Sequence, residues 1–173
     1  MRVLSIAITV AAIGLLSGCG PTLNWRDVTI GATPLRALFP CKPDDAERTV
    51  PLTGAAQQMT MRSCSAGGTT FAVGHARLSD PALAATALAQ WRDATLAGLG
   101  PEPVAVSLQP PSDSPALPML LSLRATRDTT REPVQSLQGL WFARGPDVFA
   151  ALVFAPTLVR EVTEPFFAGL RMP

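Results

Sequence analysis

Three cysteines and a single histidine are the side chains with the widest chemistry in this 173-residue sequence. A thiol can be acylated, oxidised to a disulfide or bound to a metal, and an imidazole can transfer protons near neutral pH. No serine or cysteine motif supplies a nucleophile for His75. Cys41, Cys64 and His75 are fewer ligands than a structural zinc site needs. We therefore predict no catalytic residue, no metal and no cofactor, and we expect His75 to lie on the face of a strand.

The N-terminal segment has the pattern of an export signal. Met1 and Arg2 are followed by an apolar run from Val3 to Leu16 that contains only a few small or hydroxyl residues. As a helix this run would be about 21 Å long, which is shorter than the roughly 30 Å hydrocarbon core of a membrane. A positive residue followed by an apolar run of this length is typical of a signal peptide.

The four residues that end this run resemble the lipobox of bacterial lipoproteins. They are Leu16, Ser17, Gly18 and Cys19: a leucine, two small residues and a cysteine. The resemblance implies cleavage between Gly18 and Cys19, attachment of a diacylglyceryl group to the thiol, and acylation of the new amino terminus. Two or more acyl chains make a stable membrane anchor, whereas a single chain holds only weakly. The expected first partner is thus a membrane, bound through lipidated Cys19.

The residue after the cysteine bears on the membrane in which the chain is anchored. In lipoproteins sorted as enterobacterial ones are, aspartate after the lipidated cysteine favours retention in the inner membrane. Gly20 occupies that position here. For a Gram-negative source, the resemblance therefore implies the periplasmic face of the outer membrane. Two alternatives stay open for the segment as a whole: a plain signal peptide with an accidental cysteine, and a buried apolar helix of the mature domain.

The composition of the mature chain excludes one class of partner. Cleavage after residue 18 removes Arg2 from the 14 basic residues, which leaves 13 against 13 acidic residues and a formal net charge of zero. A neutral chain without a basic run lacks the electrostatic surface that nucleic-acid binding requires. We therefore expect no nucleic-acid partner and one domain of ordinary size.

The remaining two cysteines predict a disulfide. Cys41 and Cys64 form an even pair in a chain that is expected to be exported, where disulfides persist. A disulfide between them would close a loop of about 24 residues, which would stabilise the fold by about 3 kcal/mol. Two free buried thiols are an alternative. A redox-active pair is another, although such sites more often have two residues between the cysteines.

Hydrophobic periodicity and turn residues predict an α+β domain. Several strand-like segments precede a helix that begins at Ser79-Asp80-Pro81, and three more strand-like segments precede a closing helix. Pro165 either kinks that closing helix or makes it restart at Thr163. We expect a mostly antiparallel sheet of about six to seven strands with two main helices packed on it. If the strand before Pro40 lies beside the strand ending at Cys64, the two cysteines are close enough to bridge.

The domain boundaries follow from these signals. Residues 1–18 form the signal peptide, residues 19–34 form the anchor and tether with a first strand expected within them, and residues 35–173 form a single α+β domain. The order of elements resembles the PsbP-like fold, which photosystem II extrinsic subunits and Ran-binding Mog proteins share. The resemblance rests on Leu38-Phe39-Pro40, the helix after Asp80-Pro81 and the closing segment Phe166 to Leu170. It implies an α/β/α sandwich, and members of this fold mostly bind or help assemble other proteins.

Function at this point is a hypothesis with two alternatives. We expect a lipid-anchored, non-enzymatic periplasmic protein that binds or helps assemble an envelope component, either a protein or a lipid. Arg124, Arg127 and Arg131 are candidate partner-binding residues around a predicted hairpin tip, because arginines can hold lipid phosphates or acidic groups. The alternatives are an envelope hydrolase that uses His75, and a carrier of a small apolar ligand between sheet and helices.

Overall fold

The computed structural model describes residues 23–97, 104–105, 120–129 and 132–173, with side chains described for residues 23–97 and 136–173. A short 3₁₀ helix, Pro81–Leu83, leads directly into the first α-helix. The elements of the described residues are β1 (Arg26–Thr29), β2 (Arg36–Phe39), β3 (Asp44–Leu52), β4 (Ala55–Ala66), β5 (Thr69–Arg77), α1 (Ala84–Leu96), β6 (Val104–Ala105), β7 (Leu120–Thr129), β8 (Glu132–Arg144), β9 (Asp147–Ala155) and α2 (Arg160–Ala168).

Within the described residues, seven strands form one antiparallel sheet in the order β3-β4-β5-β9-β8-β7-β6. Strand β3 lies at one edge and contains Pro51, which cannot donate a ladder hydrogen bond and is therefore tolerated at an edge. Strands β1 and β2 form a separate two-stranded antiparallel sheet. The prediction of an α+β domain with a mostly antiparallel sheet and two helices is confirmed.

Helix α1 covers one face of the main sheet. The Asp80 carboxylate accepts a 2.8 Å hydrogen bond from the Ala82 amide, and Pro81 follows at a position where a missing donor costs little. The helix then packs Leu88 and Trp91 onto the sheet. A Cβ atom on Gly74 of β5 would lie 2.6 Å from Cζ2 of Trp91, so the indole lies directly against a bare stretch of strand.

The β1–β2 sheet and helix α2 cover the opposite face. Phenylalanines from all three layers meet there: Phe166 of α2 makes edge-to-face contacts with Phe39 and Phe71, at ring-centroid distances of 5.6 and 5.3 Å. The helix does not restart at Thr163. It runs from Arg160 through Pro165, because the amides of Val162 and Thr163 already bond to the Val159 carbonyl.

A disulfide between Cys41 and Cys64 joins the chain after β2 to strand β4, with the two Cα atoms 6.0 Å apart. The predicted bridge is therefore present, but the arrangement expected to produce it was wrong. Strand β2 does not lie beside β4 in one sheet, since its ladder partner is β1. The cysteines meet because β2 packs over the main sheet, so the bridge connects the two layers.

Candidate binding cleft

Several sequence-predicted residues lie where the structure gives no description. Gly18 and Cys19 precede the described residues, and Arg131 falls between β7 and β8. The backbone of β7 places Arg124 opposite Val104 on one side and Gln138 on the other, and it places Arg127 opposite Gln135. The structure thus brings Arg124 and Arg127 onto one strand.

Of the helices in the described residues, neither is long and apolar enough to cross a membrane.

His75 lies on β5 and is held by contacts on two sides. Its Nε2 atom is 2.8 Å from Oδ1 of Asp147, which is the first residue of β9. Arg77 donates hydrogen bonds of 3.1 and 2.9 Å to the same carboxylate. The imidazole stacks on Phe149 at 5.0 Å, and Phe149 in turn stacks on Phe142 at 5.1 Å. The ring ladder crosses three neighbouring strands, so His75 continues the aromatic packing of the sheet.

The geometry supplies part of what acid–base catalysis would need. Asp147 orients the imidazole, a pairing that is not evident from the sequence because 72 residues separate the two side chains. Thr60 is directly opposite His75 in the β4–β5 register, yet among the described residues no hydrogen bond joins their side chains. A nucleophile activated by histidine would lie within about 3.2 Å of the ring nitrogen. His75, Asp147 and Arg77 therefore form a polar link between β5 and β9.

A cleft of about 310 Å³ opens between the β3–β4 hairpin and the C-terminal half of α1. Its floor is formed by β3 and β4, and Trp91 closes one side from the helix. Most of its wall is apolar. The lining residues are Arg48, Val50, Pro51, Leu52, Met59, Met61, Gln90, Trp91, Ala94 and Thr95.

The hairpin turn and the helix are fastened together at this cleft. Thr53 and Gly54 join β3 to β4 with φ angles of 56° and 78°, as a two-residue turn of the type favoured in hairpins requires. A left-handed conformation is unfavourable for threonine, so a compensating contact is expected. The Thr53 amide donates a 2.7 Å hydrogen bond to Oε1 of Gln90 on α1. This bond joins the turn to the helix beside the cleft.

Arg48 is the cation of the cleft, and none of the described residues is bonded to its side chain. In the part of the chain with described side chains, the guanidinium of Arg48 makes no hydrogen bond or ion pair, and the residue is exposed. The other arginines whose side chains the structure describes each donate to a carboxylate or a backbone carbonyl. They are Arg26, Arg36, Arg62, Arg77, Arg92, Arg144, Arg160 and Arg171.

A second, smaller recess of about 180 Å³ also contains an arginine, but that arginine is paired. It lies on the other face of the β3–β4 hairpin, beside Gly31, and Arg62 is its cation. Arg62 donates to Asp45 at 2.6 Å and to the Thr29 carbonyl at 2.5 Å. Its charge is thus already neutralised by the fold, whereas that of Arg48 is left for solvent or a ligand.

The cleft is not evident from the sequence, although one signal is present. Met59 and Met61 alternate with polar residues along β4, which is enough to predict a strand with one wet face. The same alternation continues on β3, where Arg48, Val50 and Leu52 share a face. The sequence does not indicate that α1 covers only part of this face of the β3–β4 hairpin.

Comparisons with known protein families, with curated proteins and with solved structures returned no match to this chain.

Proposed function

We propose that this chain is a lipoprotein, anchored through Cys19 to the periplasmic face of the outer membrane, that binds or helps assemble an envelope component. The observation that carries the proposal is the four-residue pattern from Leu16 to Cys19 after an apolar run of signal-peptide length. An anchor of this kind would leave the domain that follows in the periplasm.

The disulfide supports an exported location for that domain. Bonds such as Cys41–Cys64 persist in oxidising compartments and are rare where thiols are kept reduced. The lipobox-like residues and this disulfide therefore both support an exported, oxidising compartment.

The position of His75 supports binding over catalysis. The ring is largely buried, stacks on Phe149 and gives one nitrogen to Asp147, so its contacts serve the packing of β5 on β9. Helices on both faces of an antiparallel sheet support the finer likeness to the PsbP-like sandwich, whose members mostly bind other proteins. Arg124, Arg127 and Arg131 remain the proposed contacts to that partner.

The anchor is tested by replacing its thiol. Cys19→Ser removes the acylation site, so the protein should leave the membrane fraction or accumulate as the uncleaved precursor. Ser17→Ala is the matched control, because it keeps a small residue before the cleavage site and should be processed normally. Membrane attachment of Cys19→Ser equal to that of the unaltered chain would refute the anchor.

The binding role is tested in a deletion strain. Any phenotype of the deletion should be restored by a gene carrying His75→Gln, which can still hydrogen bond with Asp147. Loss of restoration by this variant, with unchanged membrane attachment and thermal stability, would contradict the binding role and favour a hydrolase.

A further inference from the structure

We propose that the cleft between the β3–β4 hairpin and α1 binds the acyl chain of an amphipathic anion, and that Arg48 holds the anionic group. This inference deepens the proposed function: it rests on the chain acting by binding, and it names a lipid-like ligand class and its site.

The walls of the cleft suit an acyl chain. Val50, Leu52, Met59, Met61 and Trp91 present a nearly continuous apolar surface. Unbranched methionine side chains adapt to flexible apolar ligands. Arg48 is the one charged residue among the ten that line the cleft, and Gln90 and Thr95 already bond to Thr53 and to the Trp91 carbonyl, so a wholly polar ligand would replace few of its hydrogen bonds to water.

The size of the cleft favours a small ligand over a protein. Its volume of about 310 Å³ lies at the lower end of the roughly 300–1,000 Å³ that small-molecule sites occupy. A stable protein interface uses about 20–30 residues on each side. Ten lining residues are enough for a single chain and too few for such an interface.

Arg48 supplies the charge complementarity. Among the arginines of residues 23–97 and 136–173, it is the one that makes no hydrogen bond to a carboxylate or carbonyl, and it lies on the wall of an apolar cleft. A guanidinium binds carboxylate and phosphate groups through two parallel hydrogen bonds. A ligand with an apolar chain and one anionic end would satisfy both features of the cleft.

Photolabelling can test the site in the mature protein purified from its native host, whether it is recovered from the membrane or the soluble fraction, in the presence of phosphatidylcholine nanodiscs. The probe is dodecanoate carrying a diazirine on its chain, and the labelled sites are mapped by mass spectrometry after trypsin digestion. Label should fall on the peptide of residues 49–62, which carries Val50, Met59 and Met61, and on the peptide of residues 78–92, which carries Trp91. Label that spreads over the surface without preference for these peptides would overturn the proposal.

Competitors separate the sources of the ligand. Unlabelled dodecanoate represents a free fatty acid, dodecyl phosphate represents a phosphate headgroup, and dodecanol is the neutral control. At least one anion should displace the probe at a concentration about tenfold lower than dodecanol does, as a hydrogen bond to a charged group implies. The stronger anion identifies the source, and equal displacement by dodecanol would overturn the role of Arg48.

Three variants complete the test. Arg48→Gln should remove the preference for the anions and leave displacement by dodecanol unchanged. Ala94→Phe places a ring in the cleft from an exposed position of α1 and should abolish labelling. Ala82→Phe, at an exposed alanine outside the cleft, should label normally. Normal labelling of Ala94→Phe would overturn the site, and neither result depends on whether Cys19 proves to be the anchor.

Discussion

The two faces of the main sheet are covered in different ways. On the face under β1, β2 and α2, six phenylalanine rings contact one another in pairs, a disulfide links the layers, and the C-terminal segment pairs with Arg36. On the face under α1, the buried cluster contains no phenylalanine; it combines six alanines with five leucines and two tryptophans, and the cleft stays open at the β3–β4 end. The alanines are Ala72, Ala76, Ala84, Ala87, Ala143 and Ala150.

This difference assigns separate tasks to the two faces. Large interlocking rings and a covalent bridge leave little room for adjustment, and they suit a face whose task is to hold the fold. The face under α1 carries six buried alanines and has no covalent bridge, and the cleft leaves space beside Trp91. We infer that stability is concentrated under α2 and that ligand binding is concentrated beside α1.

Removal of the disulfide should give the largest effect. The double variant Cys41→Ala/Cys64→Ala should lower the free energy of unfolding by about 2–4 kcal/mol, since the unfolded chain regains the entropy of a closed loop. Urea denaturation measures this change. Probe labelling in the cleft should persist in the folded variant, because the bridge lies on the other face. A loss below about 0.5 kcal/mol, well under this range, would show that the closed face does not depend on the bridge.

Gly139 and Gly74 each lie against a tryptophan, and substituting them compares a tightly packed tryptophan with one beside the open cleft. A Cβ on Gly139 would lie 2.4 Å from Cη2 of Trp141, which is fully buried. A Cβ on Gly74 meets Trp91 at 2.6 Å, but Trp91 lines the cleft and can move into it. Gly139→Ala should therefore cost about 1–3 kcal/mol, as overpacking does, and Gly74→Ala should cost less.

Thermal melts of the two glycine variants check this order. Gly74→Ala should also weaken probe binding, because the displaced indole occupies cleft volume, and Gly139→Ala should not. If the two variants were equally destabilised and bound the probe equally well, the idea that Trp91 has free space beside it and Trp141 does not would be contradicted.

An acid-sensitive contact on the closed face should give the smallest effect. A hydrogen bond from Arg36 lowers the pKa of Asp27 below its ordinary value; partial burial opposes this shift, and Arg171 adds to it. A lowered folded-state pKa stabilises the fold above the unfolded-state pKa of about 3.9, and the contribution is lost as the pH falls through the folded value.

Asp27→Asn should accordingly be less stable than the unaltered chain near pH 6 by up to about 1 kcal/mol, as expected of an exposed ion pair. The gap should begin to narrow when urea midpoints are measured below about pH 4, and it should close once the pH falls below the folded-state pKa. Asp93→Asn is the matched control on α1. A gap that persists unchanged at low pH would show that Asp27 acts through something other than its charge.

The sequence predicted local features well and long-range ones poorly. The start of the α1 segment at Asp80-Pro81 follows from the chemistry of single residues, and the cysteine pair follows from parity and compartment. The layer position of β2 was not predictable, because a short strand carries no signal for which sheet it joins. For Pro165 the sequence left open a kink or a restart at Thr163; α2 continues through Pro165, with Phe166 and Phe167 buried.

The cleft depends on tertiary structure in the same way. Arg48 and Gln90 are more than forty positions apart in the sequence, and their proximity depends on how α1 crosses the hairpin. The link between His75 and Asp147 needs the β5–β9 pairing, which local patterns do not encode. Residue types therefore indicated which chemistry was available, and the fold was needed to show which side chains lie together.

The mass of the N-terminal peptide of the membrane-extracted protein tests the central claim most directly. We predict a peptide that begins at Cys19 and carries a diacylglyceryl group on its thiol with a further acyl chain on its amino group. A peptide that begins at Met1, or a mature terminus with an unmodified Cys19, would contradict the lipid anchor.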